Sequence, residues 1–151
     1  MQTRRETLRH SAIVAGWLAA AGLLPGPALA LNAKAFDAKS VADALKALGA
    51  AAPAESKDVT ITGPDIADNG AVVPISASTT LAGVKQLLIL VEKNPSALVA
   101  VFNLSDSVDA NMSTRVKMGQ SSDVYAVAVM NDGRALFAKK EVRVTLGGCG
   151  A

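Results

Sequence analysis

The stretch Leu87–Val91 reads LLILV and is apolar at every position. A strand at a protein surface normally alternates apolar and polar residues, whereas this one is apolar on both faces. An outer sheet face this apolar has to be covered in a small protein. The N-terminal helix and a partner chain are both candidates for the cover, and the sequence does not choose between them.

Short apolar runs separated by turn residues continue on both sides of this stretch. Their period is two, and Asp-Gly and Asn-Gly steps, which favour the positive φ of tight hairpins, occur at Asp68–Gly70 and Asn131–Gly133. Met112–Met118 alternates cleanly, so it predicts one wet and one buried face. The sequence therefore predicts an all-β fold, an immunoglobulin-like antiparallel β-sandwich. The seven predicted strands are Asp58–Gly63, Ala71–Ala77, Val84–Glu92, Ala97–Leu104, Met112–Met118, Asp123–Met130 and Arg134–Leu146.

A short amphipathic helix is predicted before the strands, from Lys34 to Leu48. Its apolar residues recur near helical spacing, and Gly49 stands where a C-terminal cap is expected. Ala50–Ser56, rich in alanine, then forms a linker to the first strand.

The first thirty residues have the features of an export signal. A charged opening contains the twin arginine Arg4 and Arg5, an apolar run follows from Ser11 to about Leu24, and Ala28–Ala30 (ALA) supplies a small-residue cleavage site. The apolar run is short for a membrane span, which favours a removed signal over an anchor. The twin arginine predicts export by the Tat pathway to the periplasm, although a Thr where that signal usually has Phe leaves the general secretory route open.

Removal of this leader changes the charge and the chemistry of the chain. The full sequence has 15 basic and 13 acidic residues, and the leader contains three arginines and one glutamate, which leaves 12 of each. A neutral chain gives no electrostatic reason to expect nucleic acid or anionic lipid as a partner. The single histidine, His10, leaves with the leader, so one cysteine remains without a histidine. That excludes a Cys/His metal site, a Cys-His nucleophile pair and an internal disulfide, and we expect no cofactor and no catalytic residues.

The last five residues read GGCGA and contain the only cysteine, Cys149. Glycines bring no apolar side chain to bury and are costly to order, so the segment predicts a flexible arm that extends from the last strand. Lys139, Lys140 and Arg143 are interpreted as solvated strand charges, so activation of the thiol has to come from a site on another protein. The residues assigned to the arm are Gly147, Gly148, Cys149, Gly150 and Ala151.

These patterns divide the chain into four parts. Residues 1–30 are the signal peptide and 31–56 the N-terminal helix with its linker. Residues 57–146 form the β-sandwich, and 147–151 are the arm. No membrane span is predicted in the mature chain.

Several of these segments resemble the SoxY family, the sulfur carriers of bacterial thiosulfate oxidation. The tail Gly147–Ala151 is similar to the Gly-Gly-Cys-Gly-Gly terminus of that family, with Ala151 in place of the last glycine. The twin-arginine leader, Phe36–Lys39 (FDAK) and Ile61–Pro74 (ITGPDIADNGAVVP) are further points of similarity. The resemblance covers essentially the whole mature chain.

The resemblance implies that Cys149 is the covalent attachment point for sulfur intermediates derived from thiosulfate. It also implies a heterodimer with a SoxZ-like subunit and transient contacts with partner enzymes. In that family the haem protein SoxXA couples thiosulfate to the cysteine, SoxB hydrolyses the terminal sulfone, and a SoxCD-like sulfane dehydrogenase, where present, oxidises the remaining sulfur. The chain itself is then a carrier and not an enzyme.

Two other classes of function remain open from the residues alone. One is an exported immunoglobulin-like binding module whose Cys149 forms an intermolecular disulfide, and a disulfide-linked homodimer is expected as an oxidised side product in either case. The other is a thiol enzyme, which the absence of a base in the mature chain disfavours.

Overall fold

Two β-sheets enclose an apolar core in the computed structural model, which describes residues 33–105 and 107–145. The strands are β1 Ala54–Glu55, β2 Val59–Thr62, β3 Ile66–Ala67, β4 Val73–Thr79, β5 Val84–Val91, β6 Leu98–Asn103, β7 Asn111–Val116, β8 Ser122–Met130 and β9 Ala135–Val144. The larger sheet has the strand order β1-β9-β8-β5-β6, with β3 also paired to β9, and the smaller sheet has the order β2-β4-β7. This arrangement confirms the predicted all-β sandwich.

All seven predicted strands are present, and their ends differ from the prediction by no more than two residues. The strands β1 and β3 were not predicted. Each has two residues and pairs in parallel with β9, whereas the long strands pair antiparallel. The predicted antiparallel sandwich therefore carries two short parallel additions on the outer side of its last strand.

The core between the sheets consists of the inward-facing residues of both. From the smaller sheet, Val73 and Ile75 of β4 are buried, and from the larger sheet Leu87, Ile89 and Val91 of β5 are buried. Alternate residues of β5 therefore face this core, as the period of two requires.

The other face of β5 is covered by two short helices, α1 (Ala33–Phe36) and α2 (Val41–Ala47). Leu88 and Leu90 of β5 form a second apolar cluster with Ala44 and Leu45 of α2, and Leu45 is only 2% exposed. The sequence left open whether the N-terminal helix or a partner chain covers this face of β5. In the structure the two helices cover it.

The prediction of one helix from Lys34 to Leu48 is wrong, because the chain breaks between the two helices. Ser40 begins α2 as an N-cap, and its side-chain oxygen accepts a hydrogen bond from the Asp43 amide at 3.1 Å. Gly49 follows α2 with a φ of 73°, as predicted for a glycine cap. The break lets α1 and α2 each place apolar residues on the same sheet face.

The two predicted turns with glycine differ in the structure. Gly133 has a φ of 87° in the hairpin between β8 and β9, which confirms the prediction there. Gly70 has no positive φ, because Asp68–Gly70 does not close a hairpin: the strands on either side of it pair with other strands. The turn is made instead by the side chain of Asn69, which accepts a hydrogen bond from the amide of Ala71 at 2.8 Å.

Candidate functional site at the end of the last strand

The predicted attachment site Cys149 and its arm, Gly147, Gly148, Gly150 and Ala151, lie outside the described residues, as do Arg4 and Arg5. The part of the site that the structure does describe is the end of β9, which leads to the arm. Thr145 is the last described residue and stands four positions before Cys149.

The end of β9 is hydrogen-bonded on both sides. On one side, the amide of Arg143 donates to the carbonyl of Asp65 at 3.0 Å and the amide of Thr145 donates to the carbonyl of Ala67 at 3.1 Å. On the other side, the amide of Val144 donates to the hydroxyl oxygen of Ser121 at 2.9 Å. Three successive amides thus have partners beyond the last β8–β9 pair, where the ladder between those strands has ended. The strand is held in place up to Thr145, two positions before the predicted arm.

The side chain of Thr145 adds a further contact at this point. Its hydroxyl donates to the carbonyl of Asp68 at 3.1 Å, and the carbonyl of Ala67 lies at 3.4 Å. Because threonine has one hydroxyl proton, the shorter contact is the better hydrogen bond and the longer one is at the limit of useful geometry.

The segment that supplies these acceptors is Gly63–Asp68, which we call the clamp segment. It leaves β2 of the smaller sheet, pairs with β9 of the larger sheet through Ile66 and Ala67, and leads to β4 of the smaller sheet. Ala67 is buried in the core between the sheets, whereas Ile66 is 51% exposed. The clamp segment therefore connects the edge of one sheet to the exit strand of the other.

An ion pair ties the clamp segment to the middle of β9. The ammonium of Lys140 lies 2.8 Å from Asp65 Oδ1 and donates to the carbonyl of Gly63 at 2.6 Å. The hydrogen bond and charge of Lys140, with a smaller contribution from Arg143, lower the pKa of Asp65 below its ordinary value of 3.8. The carboxylate is exposed, so water and salt screen this pair, and its contribution is mainly to orientation.

Two further contacts fix the ends of the clamp segment. A Cβ at Gly63 would lie 2.6 Å from Cδ1 of Ile75, so any other residue at this position would require the buried Ile75 side chain to move. Just after the segment, the carbonyl of Gly70 accepts a hydrogen bond from the amide of Met118 at 2.7 Å, and Met118 is fully buried.

Two of the three β9 cations that were predicted to be solvated have carboxylate partners in the structure. Lys139 lies 2.9 Å from Asp123 Oδ2, and this hydrogen bond is the main reason that the pKa of Lys139 is raised. Lys140 is paired with Asp65, as described above.

A cleft with two aromatic side chains lies on the helix-covered side of the larger sheet. The rings of Tyr125 and Phe137 have centroids 5.6 Å apart, and the ammonium of Lys139 lies 5.9 Å from the centroid of Tyr125. Burial, followed by the charge of Glu92, raises the pKa of Tyr125. The phenol of Tyr125 therefore stays protonated and can donate a hydrogen bond in the cleft.

Two negative findings apply to residues 33–105 and 107–145. No helix among them is long and apolar enough to cross a membrane. They also contain no group of three or more His, Cys, Asp or Glu side chains that could hold a metal ion.

Comparison with known proteins gives the fold and the family. The fold places the chain in the class of two-sheet β-sandwiches, and the C-terminal end of its last described strand is held by hydrogen bonds. The family described as "Sulfur oxidation protein SoxY" matches residues 44–149, which is more than half of the chain and extends to Cys149. The chain therefore belongs to the SoxY family. No match was found among curated proteins.

Solved structures agree with this assignment. The sulfur carrier protein SoxY from Chlorobium limicola f thiosulfatophilum is 31% identical, with a TM-score of 0.57, and the match covers 62% of this chain and 84% of that chain. A superoxide reductase (neelaredoxin) from Ignicoccus hospitalis is 15% identical, with a TM-score of 0.50, and the match covers 57% of this chain and 78% of that chain. At that identity the second likeness concerns the fold alone.

The sequence analysis predicted the last strand but missed the role of the clamp segment, and the assignment of Cys149 stays a prediction. Asp65 and Lys140 are far apart in the sequence, and an isolated aspartate and lysine carry no local signal of pairing. The sequence Gly63–Asp65 (GPD) was a local indication that the chain does something unusual here. Its glycine lies close to the Ile75 side chain and does not have the positive φ of a turn glycine.

Proposed function

We propose that this protein is a sulfur carrier that holds covalent sulfur intermediates on Cys149 and presents them to partner enzymes. The observation that carries the proposal is the family match, which extends through the described sandwich to Cys149 itself. The related protein from Chlorobium is described as a sulfur carrier. The anchored end of β9 supplies the arm with a fixed base.

The loading step is an oxidation. The Cys149 thiol and the outer sulfur of thiosulfate form an S–S bond, the thiol proton is released, and two electrons pass to an oxidant, for which a haem protein of the SoxXA type is suited. The product is a cysteine S-thiosulfonate. Hydrolysis by a SoxB-like enzyme then breaks the bond to the sulfone: water supplies the oxygen, hydrogen sulfate leaves, and a persulfide remains on Cys149. A SoxCD-like enzyme, where present, oxidises that sulfur before a second hydrolysis.

The carrier contributes attachment and delivery to this sequence, and not catalysis. The chain beyond residue 30 has no histidine and one cysteine, so no Cys-His pair can form within it. A SoxZ-like subunit is the proposed stable partner, which co-purification from the periplasm tests directly.

Intact-mass measurement tests the proposal. Protein is purified without reductant from cells grown with and without thiosulfate, and each sample is measured before and after treatment with a reducing agent. Adducts on Cys149 that depend on thiosulfate and disappear on reduction are expected for a carrier. A chain without such adducts under both growth conditions would contradict the proposal, and a dimer mass alone would favour the disulfide-linked binding module.

Export by the Tat pathway to the periplasm is part of the proposal, because the twin arginine Arg4-Arg5 precedes an apolar run. Tat passes folded cargo, so we propose that the partner subunit folds onto this chain in the cytoplasm and crosses with it. Replacing Arg4 and Arg5 by Lys should then leave both subunits in the cytoplasm, which cell fractionation and immunoblotting measure. Normal export of either subunit from this variant would contradict the joint passage.

The glycines around Cys149 are proposed to keep the arm narrow enough for several different active sites. Replacing Gly148 or Gly150 by Val adds branched side-chain bulk next to the thiol and restricts the backbone. We expect thiosulfate-dependent turnover by the reconstituted enzymes to slow, with the larger loss in the double variant. The matched control is Ala at each position, which adds only one carbon. Full turnover with Val at both positions would show that a narrow arm is not required.

A further inference from the structure

We infer that the clamp segment Gly63–Asp68 fixes the direction in which the chain leaves β9 toward Cys149, with the Thr145 hydroxyl as the positioning contact. The inference rests on the proposed carrier function. It specifies which contacts give the segment that leads to Cys149 a defined starting point. Thr145 is a positioning residue in this scheme, since it acts through the arm and does not touch sulfur.

A short arm makes the exit point important. Cys149 is four positions after Thr145, so the two Cα atoms can be at most about 13 to 14 Å apart, at about 3.3 to 3.6 Å per residue. A chain of that length can reach only a limited volume around Thr145. A shift or tilt of the base therefore moves the whole volume that the thiol can reach.

The exit residues would lack a ladder partner without the clamp segment. The β8–β9 pairing ends at Ser122 and Val142, and strand ends beyond their last partner tend to open locally. The bonds from Arg143 and Thr145 to the clamp segment extend the strand by three residues beyond that pair. Every one of these residues has its amide hydrogen-bonded, alternately to the clamp segment and to Ser121.

The clamp segment can hold the strand because it is fixed independently. Lys140 ties Asp65 and the carbonyl of Gly63 to the middle of β9, and Gly63 packs against Ile75 of the opposite sheet. Ala67 is buried in the core. The clamp segment therefore contacts both sheets, and the end of β9 that it binds is fixed relative to both.

Thr145 offers a clean test because its side chain is exposed and its hydroxyl contacts only the clamp segment's carbonyls among the described residues. Thr145→Val removes the hydroxyl and keeps the branched shape, whereas Thr145→Ser keeps the hydroxyl. The chain has one cysteine, so a nitroxide spin label can be attached to Cys149 of the mature protein without any other substitution.

Two readouts are measured for each variant in complex with its partner subunit. The first is the mobility of the nitroxide by electron paramagnetic resonance. The second, on unlabelled protein loaded with thiosulfate-derived sulfur, is kcat/KM for hydrolysis by the SoxB-like enzyme. Thr145→Val is expected to increase label mobility and to lower kcat/KM by about twofold to tenfold, the range for loss of one neutral hydrogen bond. Thr145→Ser is expected to match the wild-type protein in both.

Unchanged label mobility or unchanged kcat/KM in Thr145→Val would overturn the inference, and so would an equal loss in Thr145→Ser. A thermal unfolding curve for each variant separates positioning from stability, because an equal Tm with altered mobility places the effect at the exit. The spin-label readout involves no sulfur chemistry. A wrong carrier proposal would therefore be revealed by the absence of sulfur adducts in the mass measurement. A wrong inference about the clamp segment would be revealed by unchanged mobility of the spin label in Thr145→Val.

Discussion

The Cys149→Ser variant is expected to lose thiosulfate oxidation completely while the protein keeps its fold. A serine oxygen cannot form the S–S bond to thiosulfate, so no intermediate can be loaded and every later step lacks its substrate. The measurement is oxygen uptake with thiosulfate in cells whose only copy of the protein carries the substitution, with export and abundance checked by immunoblotting.

The stability of Cys149→Ser is expected to equal that of the wild-type protein within about 0.5 kcal/mol, as for substitutions away from a core. The buried apolar residues of the described part end at Val142, and the anchoring contacts of β9 end at Thr145. Unfolding in urea, followed by circular dichroism, measures this directly.

The matched control is Ala151→Gly, which changes the tail by one carbon and creates the Gly-Gly-Cys-Gly-Gly terminus of the family pattern. It should oxidise thiosulfate at least as fast as the wild-type protein. Residual oxidation by Cys149→Ser above the level of a strain that lacks the protein would contradict attachment at this cysteine. Loss of activity in both variants would assign the effect to the shape of the tail and not to the thiol.

The strands of this protein could be predicted because their signal is local. Each long strand has apolar residues at a period of two, and turn residues mark its ends, so the observed bounds lie close to the predicted ones. The strand β5 was identified for the same reason, although its cover was not, because the identity of a packing partner is not encoded in the strand itself.

The elements that were predicted wrongly or not at all are of two kinds. The break between the helices had a signal that was missed: Ser40 and Asp43 have the spacing of an N-terminal cap with an acidic residue in the first turn. The two-residue strands β1 and β3 had none, because each exists only where the chain passes beside β9. A prediction of the clamp segment would have required the pairing of β9 with residues 77 positions earlier in the chain, such as Arg143 with Ile66.

Cys149 could be proposed from sequence because it is the single cysteine of the chain. The anchoring of the arm could not be, because it depends on three backbone amides and one hydroxyl whose partners are carbonyls and a serine. Backbone carbonyls are present at every residue, so their use at one place leaves no trace in composition or spacing.

A large loss of stability is expected from Leu45→Ala. Leu45 is 2% exposed and packs with Leu88 and Leu90, so its truncation leaves a cavity between α2 and the larger sheet. Leu→Ala changes at buried positions cost about 2 to 5 kcal/mol in free energy of unfolding. Urea unfolding should show a lower midpoint with an unchanged dependence on denaturant.

Leu48→Ala is the matched control, because it removes the same atoms from the same helix end at a position that is only partly buried. Its loss should be clearly smaller, since less apolar area and a smaller cavity are involved. Equal losses in the two variants would mean that α2 does not pack on the sheet as a fixed element. The apolar outer face of β5 would then need a different cover, and addition of the partner subunit should restore the stability of Leu45→Ala. If the helix is the cover, the partner should leave the difference between the two variants unchanged, because the cavity lies beneath α2 and out of its reach.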